Sequence, residues 1–375
     1  MPKRILFKTV QDQHTVACDG YFALPVRTNY EQVISHRNGE MFSVIAEQDG
    51  VIESMNESGG IIKYKDGSTK GFTLGRTFGK AAGQVIPHQM VSNFNVGDKV
   101  KSGDVVAYNS GWFEKDYFNP GQVLLKAGLL ATIALIETPQ THEDACTITE
   151  ELAAKLKTNL SKVKKVRINF KDTINNLIAI GTNVTFETPL VLIQDETTAN
   201  MGAFNEATIA TLATIAQQSP TAKTVGKIED IVVYYNGSKE DMSPSVRALA
   251  NYGDKLLAYK AKSRGDTVFT GSTDESYRID GDPLLPDQLC IEFYITQDVN
   301  AGIADKVVFA NQMKSIICEV ADYDIVTESG IKVDGFFGAY SIFKRIVNSA
   351  FALGTTNVLS EIGAREALKI FKGTK

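Results

Sequence analysis

The chain has 375 residues, 43% of them hydrophobic and 22% charged, with a formal net charge of −5. That length supports two or three compact units with real cores. The acidic balance excludes a protein that grips nucleic acid over its whole surface, while leaving room for a local cationic groove. Four cysteines, Cys18, Cys146, Cys290 and Cys318, form no CxxC pair and have no histidine at ligand spacing, so neither a structural zinc nor a disulfide framework is expected. No apolar run approaches the ~18 residues of a membrane-spanning helix. The opening Met1-Pro2-Lys3-Arg4-Ile5-Leu6-Phe7 is too briefly apolar for a secretory signal, and a reducing cytoplasmic setting is expected.

Residues 1–135 read as strands and turns: short β-branched and aromatic runs are punctuated by Asp49-Gly50, Gly59-Gly60, Asp66-Gly67 and Asn109-Ser110-Gly111. Gly97-Asp98-Lys99-Val100 and Gly103-Asp104-Val105-Val106-Ala107 predict a tight hairpin-like unit. Biotin- and lipoate-carrier domains share that pattern, but they need a reactive lysine at an exposed tip, and none is present. The apolar strand Leu129–Ile136 leads to Glu143-Asp144. Thr147-Ile148-Thr149-Glu150 has the capping-box form, predicting a helix from just after Asp144 to about Lys157.

From Leu152 to Lys171 the chain holds seven basic residues and no acid. Such a run is more often a solvated face than a phosphate-contact surface. Asn205–Gln218 carries Ile209, Leu212 and Ile215 at helical spacing. Ser243-Pro244 places an N-cap before a first-turn proline and starts a helix to about Lys262. Ile291-Glu292-Phe293-Tyr294-Ile295-Thr296 reads as a strand leading towards Asp305-Lys306. Ala339–Leu353 repeats apolar residues on one helical face, with Gly354 as its stop and a last helix over about Val358–Phe371.

Lys306 and Lys314 lie eight positions apart, followed by Gly330-Ile331-Lys332-Val333-Asp334 and by Arg345. Taken alone, two lysines so spaced read far more readily as solvent-facing side chains, and Arg345 as readily as a helix-surface arginine. Adjacent acids such as Glu143-Asp144 before a helix are usually capping groups. His142 has no partner pattern and reads as a bystander.

Together and in this order, these motifs resemble the active-centre face of the β subunit of multisubunit DNA-dependent RNA polymerases. In that family an Asp-Lys pair precedes a second lysine at this spacing, a short Gly-x-x-Val-Asp turn follows, and an arginine comes at the same distance. The family also carries the Gly97–Ala107 hairpin pattern shortly before a Glu-Asp pair. Gly181–Leu192 and Gly226–Val233 resemble the start of its flap, or wall, module and the strand that follows.

The resemblance implies a β-rich α+β fold: a double-psi β-barrel assembled from two sequence halves, with an inserted flap/wall-like module and flanking helices. Residues 1–150 would be the hybrid-binding part and first half of the barrel, 151–285 the inserted module, and 286–375 the second half with C-terminal helices. It implies that Lys306 and Lys314 contact the RNA 3′ end and the reacting phosphates, and that Arg345 touches the incoming triphosphate. Glu143 and Asp144 would face the second magnesium and the triphosphate through water. The chemistry suits these residue types: a lysine is a compact point charge, whereas arginine offers a planar fork to two phosphate oxygens.

Several departures stand out. The glycine-rich loop between the lysines is Val307-Val308-Phe309-Ala310-Asn311-Gln312-Met313 here, and the lead-in to Glu-Asp is Thr138-Pro139-Gln140-Thr141-His142. No Asn-Ala-Asp-x-Asp-x-Asp element occurs, so the catalytic magnesium would be held mainly by a β′-like partner and the chain would be inactive alone. Relative to the family, the chain starts inside the β sequence and stops before its clamp-side tail. This looks like the split, drifted polymerases of giant bacteriophages. Expected partners are a β N-terminal-half-like chain, a β′-like chain, the DNA template, RNA and NTPs, with the need for a specificity subunit left open and no membrane. The expected setting is the cytoplasm of an infected bacterium, or the virion. A non-enzymatic phage structural or assembly protein is the alternative.

Overall fold

The structure is a computed structural model that describes residues 3–11, 14–16, 33–81, 84–116, 119–126, 129–194, 217–267, 269–309, 313–328, 330–345 and 348–373. Its chain divides into two compact units, residues 1–45, 104–158 and 298–375 in the first, and 46–103 and 159–297 in the second. The division falls at four places in the sequence, where the motif order alone had suggested cuts near 150 and 285. Both units are β-rich. The described helices are α1 (Glu150–Lys155), α2 (Pro244–Lys262), α3 (Ala339–Arg345) and α4 (Asn348–Phe371). None of them is long and apolar enough to cross a membrane.

Six strands organise the first unit: β1 (Lys3–Gln11), β2 (Leu129–Leu135), β3 (Ala145–Thr149), β4 (Lys306–Phe309), β5 (Met313–Ala321) and β6 (Gly335–Phe337). Their pairings run β1–β2–β6–β3–β5–β4 and return to β1, so the hydrogen-bonded ladder closes on itself. Pairs β2–β6 and β3–β5 are parallel, and the other four are antiparallel. Exchanging β1 with β4, β2 with β5 and β3 with β6 leaves this scheme unchanged. Two stretches far apart in sequence therefore contribute equivalent halves. Closure also removes the open edges that would otherwise invite pairing with other chains.

The alternation of each strand fills the interior. Leu129, Ala131 and Ile133 of β2 meet Cys146 and Ile148 of β3, Val307 of β4, Ile317 of β5 and Phe337 of β6 in one buried cluster. Leu152 and Leu156, around α1, and Ile342 of α3 pack against the same cluster.

In the second unit, Asn183–Val184, Gly226–Asn236, Gln288–Val299, Thr158–Asn169 and Gln84–Ser92 lie in that order in one sheet, with Gly75–Ala81 against the last. Strand residues Val166, Ile168, Ile231, Val233, Ile291, Phe293 and Ile295 face the apolar side of α2, where Val246, Leu249 and Ala250 are buried. Gly253 permits that approach, because a Cβ there would stand 2.8 Å from Cβ of Val233. Gly50–Asn56, Gly59–Tyr64, Thr69–Thr73 and Lys99–Val100 form a separate four-stranded sheet.

One sequence expectation is met closely. The α2 helix begins with Ser243 as N-cap, its side chain accepting from Val246 N–H, and ends at Lys262. Others are corrected. The residues after Asp144 form strand β3, not a helix; β-branched Thr147, Ile148 and Thr149 favour extension, and the cap of the short α1 is Thr149. Gly354 does not stop a helix: it is buried within α4, which runs on to Phe371. The Gly97–Ala107 pattern is not a paired hairpin, since Lys99–Val100 pairs with Gly50–Asn56 and Val105–Asn109 pairs with Ser43–Ile45. The helix read over Asn205–Gln218 lies outside the described residues up to 216.

Candidate active site

Lys306 and Lys314 are carried by the antiparallel pair β4–β5, with Lys306 opposite Ile316 and Lys314 opposite Val308. Because side chains alternate along a strand, Val307, Ser315 and Ile317 point inward and are buried. Lys306, Lys314, Ile316 and Cys318 therefore share the outer face, and all four are exposed. The two lysines are diagonal neighbours on that face, a relation that sets their backbones ~7–8 Å apart. Long side chains span such a separation, so both ammonium groups can reach one phosphate-bearing ligand. The intervening loop expected from the sequence is mostly strand; residues 310–312 lie outside the described residues.

Glu143-Asp144 is placed beside this pair. Strand β3 runs parallel to β5 with Ala145 opposite Ile316. One step earlier, the Asp144 carbonyl accepts from Ile316 N–H at 2.9 Å and from Ser315 Oγ–H at 2.7 Å. Glu143 adopts a positive φ of 56°, sparsely populated for a residue with a Cβ. Its carbonyl accepts from Ser341 Oγ–H on α3. Glu143 and Asp144 are exposed, so their carboxylates front solvent while the backbone between them is held from both sides.

Arg345 closes α3, four residues after Ser341. Positions four apart share a helix face, so the backbone at 345 follows the turn that touches the Glu143 loop. The Arg345 side chain lies outside the described residues. The start of α3 is held by Glu137, whose Oε1 accepts from Tyr340 N–H at 2.5 Å. An acid at a helix N-terminus is favoured by the local dipole.

Asp334, read as part of the turn motif, is a strut. Its N–H donates to the Thr132 carbonyl at 2.8 Å, and its Oδ2 accepts from Thr132 N–H at 2.7 Å. Its carbonyl accepts from Thr149 N–H at 2.9 Å. One residue thus ties β2 to the end of β3. The Thr138–His142 lead-in is likewise structural: Thr138 and Thr141 cap each other around a single 3-10 turn. His142 is exposed and its carbonyl closes the turn onto Ala145.

Of the seven residues in the basic run, four have acidic partners. Lys155 meets Glu151 at 2.7 Å, Lys157 meets Asp298 at 3.7 Å, Lys165 meets Glu292 at 3.6 Å and Arg167 meets Asp282 at 3.6 Å. Of these four, Lys155 lies on α1, and Lys165 and Arg167 on the strand Thr158–Asn169.

Ser315 and Ser341 were not apparent from the sequence. The first had a signal available: a serine in the inward register of an apolar strand needs a polar partner inside. Among the described residues, no group of three or more His, Cys, Asp or Glu side chains gathers to hold a metal ion. No known family model matches the chain, and no curated protein sequence matches it.

Proposed function

We propose that the chain is a β-like subunit fragment of a multisubunit DNA-directed RNA polymerase, forming part of the catalytic cleft. The observation that carries this reading is the shared outer face of Lys306 and Lys314, with the Asp144 backbone bonded beside it. The closed six-strand ring, with strands from residues 3–11, 129–149 and 306–337, supports the double-psi barrel that the sequence resemblance implies. The two halves of the site would come from these two halves of the ring.

In this reading the RNA 3′-hydroxyl attacks the α-phosphate of a nucleoside triphosphate and pyrophosphate leaves. The protein's part is to hold the phosphates and to place positive charge where negative charge develops. Lys306 and Lys314 supply two point charges to the RNA 3′ end and the reacting phosphates. Arg345 contacts the incoming triphosphate. Magnesium, when bound, neutralises phosphate oxygens, and the two carboxylates of Glu143 and Asp144 are too few to cage such an ion by themselves. They suit an outer position, reached through water, with a partner β′-like chain providing the main ligands.

Assembly with other chains is supported by the end of α4, where every residue from Ile362 to Phe371 is exposed. Apolar Ile362, Leu368, Ile370 and Phe371 are among them. The enzyme would act in the cytoplasm of an infected bacterium. The test is purification of the chain from its native source under mild conditions. A polymerase fragment travels with a large partner that carries an aspartate-rich magnesium loop; recovery with virion shell components alone supports a structural or assembly protein instead.

A further inference from the structure

The solvent face of α2 carries a second constellation, inside the second unit. Tyr252, Lys255, Tyr259 and Lys262 follow one another at steps of three, four and three residues. At 100° per residue these positions fall within an arc of about 80°, and they span about 15 Å of helix. Tyr252 is 46% exposed and Tyr259 47%, so both rings present their faces to solvent. Both lysines are exposed as well.

The stripe ends in an open cavity of about 310 Å³, which Tyr259 and Lys262 line together with Ser54, Asn56 and Ser263. That volume accommodates a nucleobase with part of its sugar. Asn56 Oδ1 accepts from Ser58 N–H at 2.8 Å and Gly59 N–H at 3.1 Å, which fixes the amide and leaves its N–H groups as the donors offered to a ligand. The lining contains no acidic side chain. Asp254, the acid on α2, is turned to the other side, where it accepts from Lys239, the Tyr235 hydroxyl and Gly271 N–H. Asp266 is paired with Arg264.

Alternating rings and ammonium groups match a strand with splayed bases and regularly spaced phosphates, because every base has a face to stack and every linkage a charge to neutralise. We propose that this face of α2 and the cavity at its end bind single-stranded nucleic acid. The site lies outside the lysine face of the first unit and its binding needs no nucleotide addition.

The test is fluorescence anisotropy of the full-length chain with labelled oligo(dT), oligo(U) and a blunt duplex across a salt series. Single strands are expected to bind at about micromolar strength in low salt, and the duplex more weakly. Tyr252→Ala and Tyr259→Ala should each weaken binding about tenfold, while the Phe variants retain it, since stacking uses the ring and not the hydroxyl. Lys255→Gln and Lys262→Gln should each flatten the salt dependence by about 0.7 in log–log slope. These are surface changes, and far-UV circular dichroism checks that each variant folds. A preference between the two single strands supports the proposal and assigns the strand. Equal binding of duplex, wild-type affinity in both alanine variants, or no binding at all overturns it, and each leaves the Lys306–Lys314 face to its own test.

Discussion

Replacing Asp334 with alanine leaves its backbone bonds to Thr132 and Thr149 in place and removes only the carboxylate. The group stranded is Thr132 N–H, which that carboxylate accepts at 2.7 Å, in a residue that is 7% exposed. An unsatisfied buried donor costs about 1–3 kcal/mol. With a urea m-value of about 2 kcal/mol/M, that shifts the unfolding midpoint down by about 0.5–1.5 M. Asparagine keeps an acceptor oxygen in the same place and should cost less than about half as much. The only tryptophan, Trp112, lies in the same unit as Asp334, so its fluorescence reports the relevant transition in a chain whose two units need not unfold together. A midpoint unchanged in Asp334→Ala refutes the strut. So does an asparagine variant as damaged as the alanine one.

Other outcomes follow from the same contacts. Lys155 and then Lys332 hold the Glu151 carboxyl down to about 2. That stabilisation is present above the carboxyl's unfolded pKa and is lost as pH falls from there through about 2. Exposure keeps it under about 1 kcal/mol, so it should shrink further in high salt when acid unfolding is followed by Trp112 fluorescence. In the second unit, fully buried Glu292 accepts from the Tyr277 hydroxyl at 2.6 Å and the Tyr294 hydroxyl at 2.7 Å, with Lys165 at 3.6 Å. Glu292→Ala strands those groups and should destabilise this unit by about 3 kcal/mol in a urea titration followed by circular dichroism. Burial and the Glu292 carboxylate push both phenols up. Absorbance titration should find them protonated well above the ordinary phenol range, with stability falling as pH rises past that range. Burial pushes the Cys146 and Cys290 thiols up to about 12, whereas Cys318 is exposed. In a Cys18→Ser background, one thiol per chain should react rapidly with a thiol reagent in native buffer, and three after denaturation.

Local signals were the most readable. Ser243-Pro244 marked the start of α2 because cap and proline act within one turn, and the near-continuous apolar run at Leu129–Ile136 marked β2. What failed was any signal that depends on the partner. Thr147-x-x-Glu150 looks like a capping box, yet parallel pairing with β5 holds Thr147 and Ile148 extended and moves the cap to Thr149. Gly354 looks like a stop, but at a buried position it continues α4. The hairpin pattern of Gly97–Ala107 dissolved because each strand found a different partner. The spacing of Lys306 and Lys314 was legible as a number, and its meaning came from register: an even separation across a tight pair puts both on one face. Of the two serines that hold this loop, Ser315 carried a signal in its inward register on an apolar strand, whereas nothing local distinguishes Ser341 from a surface serine.

The central claim is that Lys306 and Lys314 act on phosphates beside Glu143-Asp144. Its most direct test is single-nucleotide addition by the reconstituted complex carrying Lys306→Ala or Lys314→Ala, with assembly checked by size-exclusion chromatography. Removing one positioned charge from a transferring phosphoryl group should slow addition by about 100-fold in each variant while the complex stays intact. Wild-type addition rates in both intact variants would contradict the account.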